Sequence, residues 1–188
     1  MYRLIIGKMK SDYFTNLGEA FDVLDNEVRE YNWLLSNYEC NVYPSKKIPM
    51  NNDKQFLWFN GDEFVDILKE HNIQFIWGVA TAYAKDIPLK EILKYPLPFA
   101  DGNPAFWEME TTMQNPLADI ELVPWDSGFL LVFSKSKEVI ERFAKEYPDS
   151  SDDPAGYSKE RWLRLTKEPS SKSTFINSLS NHNSRWCN

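Results

Sequence analysis

One segment limits the fold more than any other: Ile73 to Tyr83, whose residues alternate in bulk. Ile73, Phe75, Trp77, Val79 and Tyr83 fall on one face, and Ile76, Gly78, Ala80 and Ala82 on the other. A bulky face fills a core, while a face of small residues lets another element approach closely. Both faces are therefore covered, and the segment reads as the central strand of a sheet.

A central strand needs partners, and the chain supplies several. Ile120 to Trp125 and Gly128 to Phe133 form a β pair joined near Asp126-Ser127-Gly128, apolar on both faces and so buried. Tyr2, Leu4 and Ile6 alternate with Arg3 and Ile5 in an opening strand, and Gln55 to Phe59 is another. Tyr31, Trp33 and Leu35, then Tyr38, Cys40 and Val42, read as two short strands around a turn at Ser36-Asn37.

Helical periodicity fills the intervals. Phe14, Leu17, Phe21, Leu24 and Val28 make one stripe, capped by Ser11 or Asp12 and weakest at Gly18. Asn60-Gly61-Asp62 caps a second helix, which carries Phe64, Val65, Ile67, Leu68 and His71 on one face and ends near Asn72. Pro88 opens a short helix through about Lys94. Ser134 or Ser136 caps the last, with Val139, Ile140, Phe143, Ala144 and Tyr147 as its stripe and Pro148 as its stop. Between them, Tyr95 to Asn115 is aperiodic and contains Pro96, Pro98 and Pro104; loops of that length are usually functional or mobile. The order predicts an α+β protein, a single domain over residues 1–148 with a mixed, mainly antiparallel sheet and helices packed on it. Residues 149–188 form a polar C-terminal extension, with one short amphipathic helix at about 157–166 carrying Trp162, Leu163 and Leu165.

Charge narrows the partners. The chain has 28 acidic and 21 basic residues in 188, a net charge of −7, and the extension is slightly basic, so the body is the acidic part. Such a surface repels nucleic-acid phosphates and anionic lipid and attracts basic proteins. No apolar run approaches the roughly 18 residues of a membrane span. The apolar core of the N-terminal MYRLIIGKMK is too short for a signal peptide. Cys40 and Cys187 cannot make a disulfide framework, so a reduced, cytoplasmic protein is expected.

Reaction motifs are sparse. His71, His182, Cys40 and Cys187 have no metal-ligand spacing, and neither a G-x-G-x-x-G nor a Walker pattern occurs, so no metal and no cofactor is expected. The basic-aromatic run Arg161-Trp162-Leu163-Arg164 reads as a docking helix rather than an RNA site. Glu108 and Glu110 beside Trp107, with Asp126 after Trp125, have the ingredients of glycoside hydrolysis: two acids across a sugar, walled by rings. Against this, Trp33, Trp58, Trp77 and Trp125 sit in strand patterns, where packing accounts for them.

The runs IELVPWDSGFLLVFSKSKEVIERFAKEYPD (120–149) and NGDEFVDILKEHNIQFIWGVATAYAK (60–85) resemble a family of small uncharacterised bacterial cytoplasmic proteins. These are in turn similar in style to immunity proteins of polymorphic toxin systems. The resemblance covers about the first 150 residues and rests on element order and hydrophobic texture; no catalytic motif carries it, and it brings no site residue with it.

Three functions compete. The first is a non-catalytic acidic protein of inhibitor or immunity type that neutralises a basic protein partner such as a toxin domain. Its expected contact residues are Trp107, Glu108, Glu110, Asp119, Glu121 and Asp126. The second is a small hydrolase using Glu108, Glu110 and Asp126 beside Trp107 and Trp125. The third is an acidic nucleic-acid mimic, which needs a regular acidic spacing that the chain lacks.

Overall fold

A computed structural model describes residues 1–10, 15–44, 46–50, 55–108 and 110–153. Six strands and four helices follow one another: β1 (Tyr2–Ile6), α1 (Leu17–Leu24), β2 (Tyr31–Cys40), β3 (Phe56–Asn60), α2 (Gly61–Glu70), β4 (Phe75–Ala84), α3 (Leu89–Ile92), β5 (Ile120–Trp125), β6 (Phe129–Ser134) and α4 (Lys137–Glu146). The strands form one sheet in the order β1-β6-β5-β4-β2-β3, every neighbouring pair antiparallel. This is an α+β architecture with β4 inside the sheet, as its two covered faces require. The expected helix at 157–166 lies outside the described residues. Just past Pro148 the chain returns to the sheet: Ser151 pairs with Ile5 and covers the free side of β1.

Helices α1, α2 and α4 cover one face. Leu4, Ile6, Trp33, Leu35, Ala80, Ala82, Leu122 and Val132 point from the strands into a core shared with Phe21, Phe64 and Phe143. Phe21 lies 4.6 Å from the Trp33 ring, Phe64 stacks on Phe59 at 4.8 Å, and the Trp33 indole donates to the Val28 carbonyl at 2.9 Å. Each such side chain contributes roughly 1.5–3 kcal/mol by leaving water. Asn60 caps α2 by accepting from the Glu63 N–H. Gly61 is packed so tightly that a Cβ there would meet the Val28 carbonyl oxygen at 2.3 Å.

The first helix is shorter than its apolar stripe. Asn16, not Ser11 or Asp12, caps it, accepting from the N–H groups of Gly18 and Glu19. It stops at Leu24, because Asp25 takes φ 53°, ψ −132°, and the chain tightens into a 3-10 turn over Asp25–Glu30 that keeps Val28 buried.

Two β-bulges change the expected faces. Ser36-Asn37 is no turn: β2 runs unbroken for ten residues, and the ladder to β4 slips between Ser36 and Glu39. The slip lets Trp33 and Leu35 share a face with Cys40, although their sequence phases differ. A second slip lies between the Glu39–Trp77 and Cys40–Phe75 pairs, where Ile76 is the extra residue in β4. Phe75 therefore joins Ala80 and Ala82 on the helix side. Trp77, Val79, Thr81 and Tyr83 face the other way, so the strict alternation expected for 73–83 does not hold.

That other face is covered by the segment 85–118. It is a packed cover rather than a loose loop: Ile92, Ala100, Asn103, Phe106, Met113, Asn115 and Ala118 are buried. Ser36 Oγ and Asn37 Nδ2 donate to the Pro98 carbonyl at 2.6 and 2.8 Å, and Asn115 Nδ2 donates to the Ile92 carbonyl at 3.2 Å. These bonds satisfy backbone groups that a long irregular segment would otherwise bury unpaired.

Candidate functional site

The six residues expected at the contact surface differ in exposure and in partners. Trp107 is half-buried, held edge-on against Trp125 at 5.4 Å and Phe129 at 5.7 Å, so its ring belongs to an aromatic cluster. Glu108 and Glu110 are exposed, and the Glu108 carbonyl accepts from Arg3 at 2.7 Å. Asp119 pairs with Lys135 at 3.1 Å. Asp126 is exposed at the β5–β6 turn, where Asp126 and Ser127 both have positive φ, the pattern of a tight hairpin turn. Glu121 is wholly buried.

Glu121 is the centre of a polar group beneath the cover. It sits opposite Thr81 in the β4–β5 ladder. Its Oε2 accepts from the Gln114 N–H at 3.3 Å, while Oε1, Thr81 Oγ1 and Tyr83 OH have no hydrogen-bond partner among the described residues. Thr81 lies within electrostatic reach of the Tyr83 hydroxyl but outside hydrogen-bonding geometry. Burial pushes the Glu121 carboxyl up to about 8, only partly offset by Gln114, so it is protonated at neutral pH. Burial, and then the Glu121 carboxyl, push the Tyr83 phenol up as well. Gln114 passes the contact outward: Phe99 N–H donates to Gln114 Oε1, and Gln114 Nε2 donates to the Phe99 carbonyl, both at 3.1 Å.

Phe99 is 45% exposed and forms one wall of a groove of about 660 Å³. Its other described lining residues include Tyr38, Trp77, Glu39 and Asp101, and none of the described ones is basic. The bulges shape it. Asn37 and Gln55 both adopt positive φ, and Gly78, at φ 154°, lies so close to Tyr38 that a Cβ would meet the Tyr38 Cβ at 3.3 Å. The β5–β6 turn reaches the same place, since Ser127 N–H donates to the Ile76 carbonyl at 3.0 Å. Trp125 packs edge-on against Trp77 at 5.1 Å. Partial burial raises the Asp126 carboxyl, and the negative charge of Asp101 adds to the rise.

The strongest charge lies on the other side of the sheet. Helix α1, the 3-10 turn and α2 carry nine carboxylates: Glu19, Asp22, Asp25, Glu27, Glu30, Asp62, Glu63, Asp66 and Glu70. Within the same elements stand Arg29 and Lys69, so the three elements hold a charge equal to the −7 of the whole chain, and Arg142 of α4 pairs with Glu27 at their edge. Packing of α1 and the 3-10 turn against α2 makes them one surface, although 30 residues separate Glu30 from Gly61 in sequence. Arg29 pairs with Asp62 across that junction. Asp22, Asp25, Arg29 and Lys69 line a small cleft there of about 130 Å³. The Asp25 conformation is one that glycine occupies freely, and it costs another residue about 1–3 kcal/mol.

Among the described residues, no group of three or more His, Cys, Asp or Glu is placed to hold a metal ion, and no helix is long and apolar enough to cross a membrane. Fold and surfaces together define the class: a small antiparallel α+β protein with a charge-segregated helical face. No protein-family model, curated protein or solved structure matches the chain.

Proposed function

We propose that the protein is a non-catalytic binding protein of inhibitor or immunity type, which occupies a basic protein partner with its acidic helical face. The observation that carries the reading is the concentration of the chain's net charge on α1, the 3-10 turn and α2. Evenly scattered acids keep a protein soluble. Acids gathered on one face create a directed field, which speeds encounter with a basic surface and rejects acidic ones. Asp25 supports the same reading, because a carboxylate held in a glycine-like conformation at the centre of that face is a stability cost that a partner contact would repay.

The test is co-purification from the native cell of tagged wild type and of the triple variant D22N/E63Q/D66N, at low and moderate salt. A stoichiometric basic protein retained by wild type, shed as salt rises and absent from the variant supports the reading. A complex indifferent to both salt and the three substitutions refutes it.

A further inference from the structure

The groove beside the β2 bulge is a second surface, which the acidic helical face does not use. Tyr38, Trp77 and Phe99 wall it, and the carboxylates of Glu39 and Asp101 stand among its lining residues. The β5–β6 turn that carries Asp126 docks beside it, Ser127 N–H donating to the Ile76 carbonyl next to Trp77. Rings and carboxylates in one groove, with no basic side chain among its described lining residues, match one ligand chemistry, a flat organic cation. The ring faces attract the charge, and the carboxylates accept its hydrogen bonds. Guanidinium fits better than ammonium, because it is planar, stacks on aromatic faces and bonds carboxylates in pairs.

We propose that this groove receives an arginine side chain presented by a protein partner. The proposal rests on the reading of a basic partner but places a specific contact away from the helical face that attracts it. The groove is held ready for such a ligand. The paired bonds to Gln114 fix the Phe99 backbone although its ring is exposed, and the Pro98 carbonyl is tied to Ser36 and Asn37 on β2. Little ordering is left to be done on binding, which favours affinity.

The experiment is an amide and indole NMR titration of the full chain with N-acetyl-arginine amide, and with its neutral isostere N-acetyl-citrulline amide, on wild type and E39Q/D101N. The expected result is shifts at the Trp77 indole, Gly78, Phe99 and Gly102, weakened about tenfold or more in the double variant and absent with citrulline. Equal binding of citrulline, or binding that E39Q/D101N leaves intact, overturns the proposal, as does a neutral disaccharide that binds the groove in preference to arginine. Arginine shifts confined to α1 and α2 overturn the groove assignment while leaving the basic-partner reading standing. No shift on either surface counts against both.

Discussion

Replacing Glu121 by glutamine isolates what a buried carboxyl costs this fold. In the folded protein the group titrates near about 8, against 4.5 for an unperturbed glutamate. Between those values the folded chain holds a proton that the unfolded chain has released. Stability therefore falls by about 1.4 kcal/mol for each pH unit in the interval. The contribution is fully present below pH 4.5, is lost as pH rises, and levels off above about 8. By pH 7 the loss amounts to about 3 kcal/mol, a large share of the roughly 5–15 kcal/mol that holds a typical domain together. Glutamine does not ionise. It keeps an acceptor for the Gln114 N–H and adds donors beside Thr81 Oγ1 and Tyr83 OH, two atoms without hydrogen-bond partners among the described residues. E121Q is thus expected to match wild type near pH 4.5 and to exceed it by about 3 kcal/mol at pH 7. Urea denaturation followed by tryptophan fluorescence across this range measures the difference. Hydrogen exchange at alkaline pH gives a local readout, with the Phe99, Asn103 and Gln114 amides exchanging faster in wild type than in E121Q. Parallel stability profiles for the two proteins would refute the reasoning, since they would mean that Glu121 is already charged in the fold and compensated there.

Three further perturbations probe the framework. Gly61→Ala places a Cβ 2.3 Å from the Val28 carbonyl oxygen and 2.7 Å from the Arg29 Cα; because backbone must move, a loss of about 3 kcal/mol in urea denaturation is expected, and a neutral result would contradict the close approach of α2 to the 3-10 turn. Asp25→Gly relieves the glycine-like conformation and should raise stability by about 1 kcal/mol while weakening any partner that uses the acidic face; a destabilised D25G would show that the carboxylate, not the backbone, is what the fold uses there. Burial pushes the Cys40 thiol up to about 12, with Glu39 adding to the rise, so at pH 8 only about one molecule in ten thousand carries the thiolate. In a Cys187→Ser background, an aromatic disulfide reagent should release no colour until urea unfolds the chain, and prompt reaction would refute the burial.

Much of the architecture was legible because period and punctuation agree locally. The α2 cap at Asn60, the stripe Phe64, Val65, Ile67 and Leu68, and the β5–β6 pair all follow from neighbours within a few residues. The bulges were not legible in the same way. Tyr31, Trp33 and Leu35 occupy one phase and Tyr38 and Cys40 the other. A hairpin turn and a one-residue bulge both shift phase, and only pairing with β4 distinguishes them. For β4 the reverse holds. Phe75 through Tyr83 keeps an even rhythm, so nothing local shows that Ile76 is the extra residue and that Trp77 leaves the helix side.

Surface readings depended on the same distinction between neighbours in sequence and neighbours in space. The acids beside Trp107 attracted notice because they are close along the chain, whereas the acidic face is assembled from Asp22 on α1, Asp25 on the 3-10 turn and Asp62 to Glu70 on α2. Summing charge over the whole body hid that grouping. Adding it per helix, on the side opposite each apolar stripe, would have revealed it, because α1 and α2 already declare their buried faces. Glu121 carried its own signal. A strand whose two faces are both apolar is buried on both, so the one acid within IELVPW had to be an interior group needing a proton or a partner. Read that way, the residue moves from the list of contacts to the sheet–cover junction. There the chain Glu121–Gln114–Phe99 connects a buried proton to the wall of the groove.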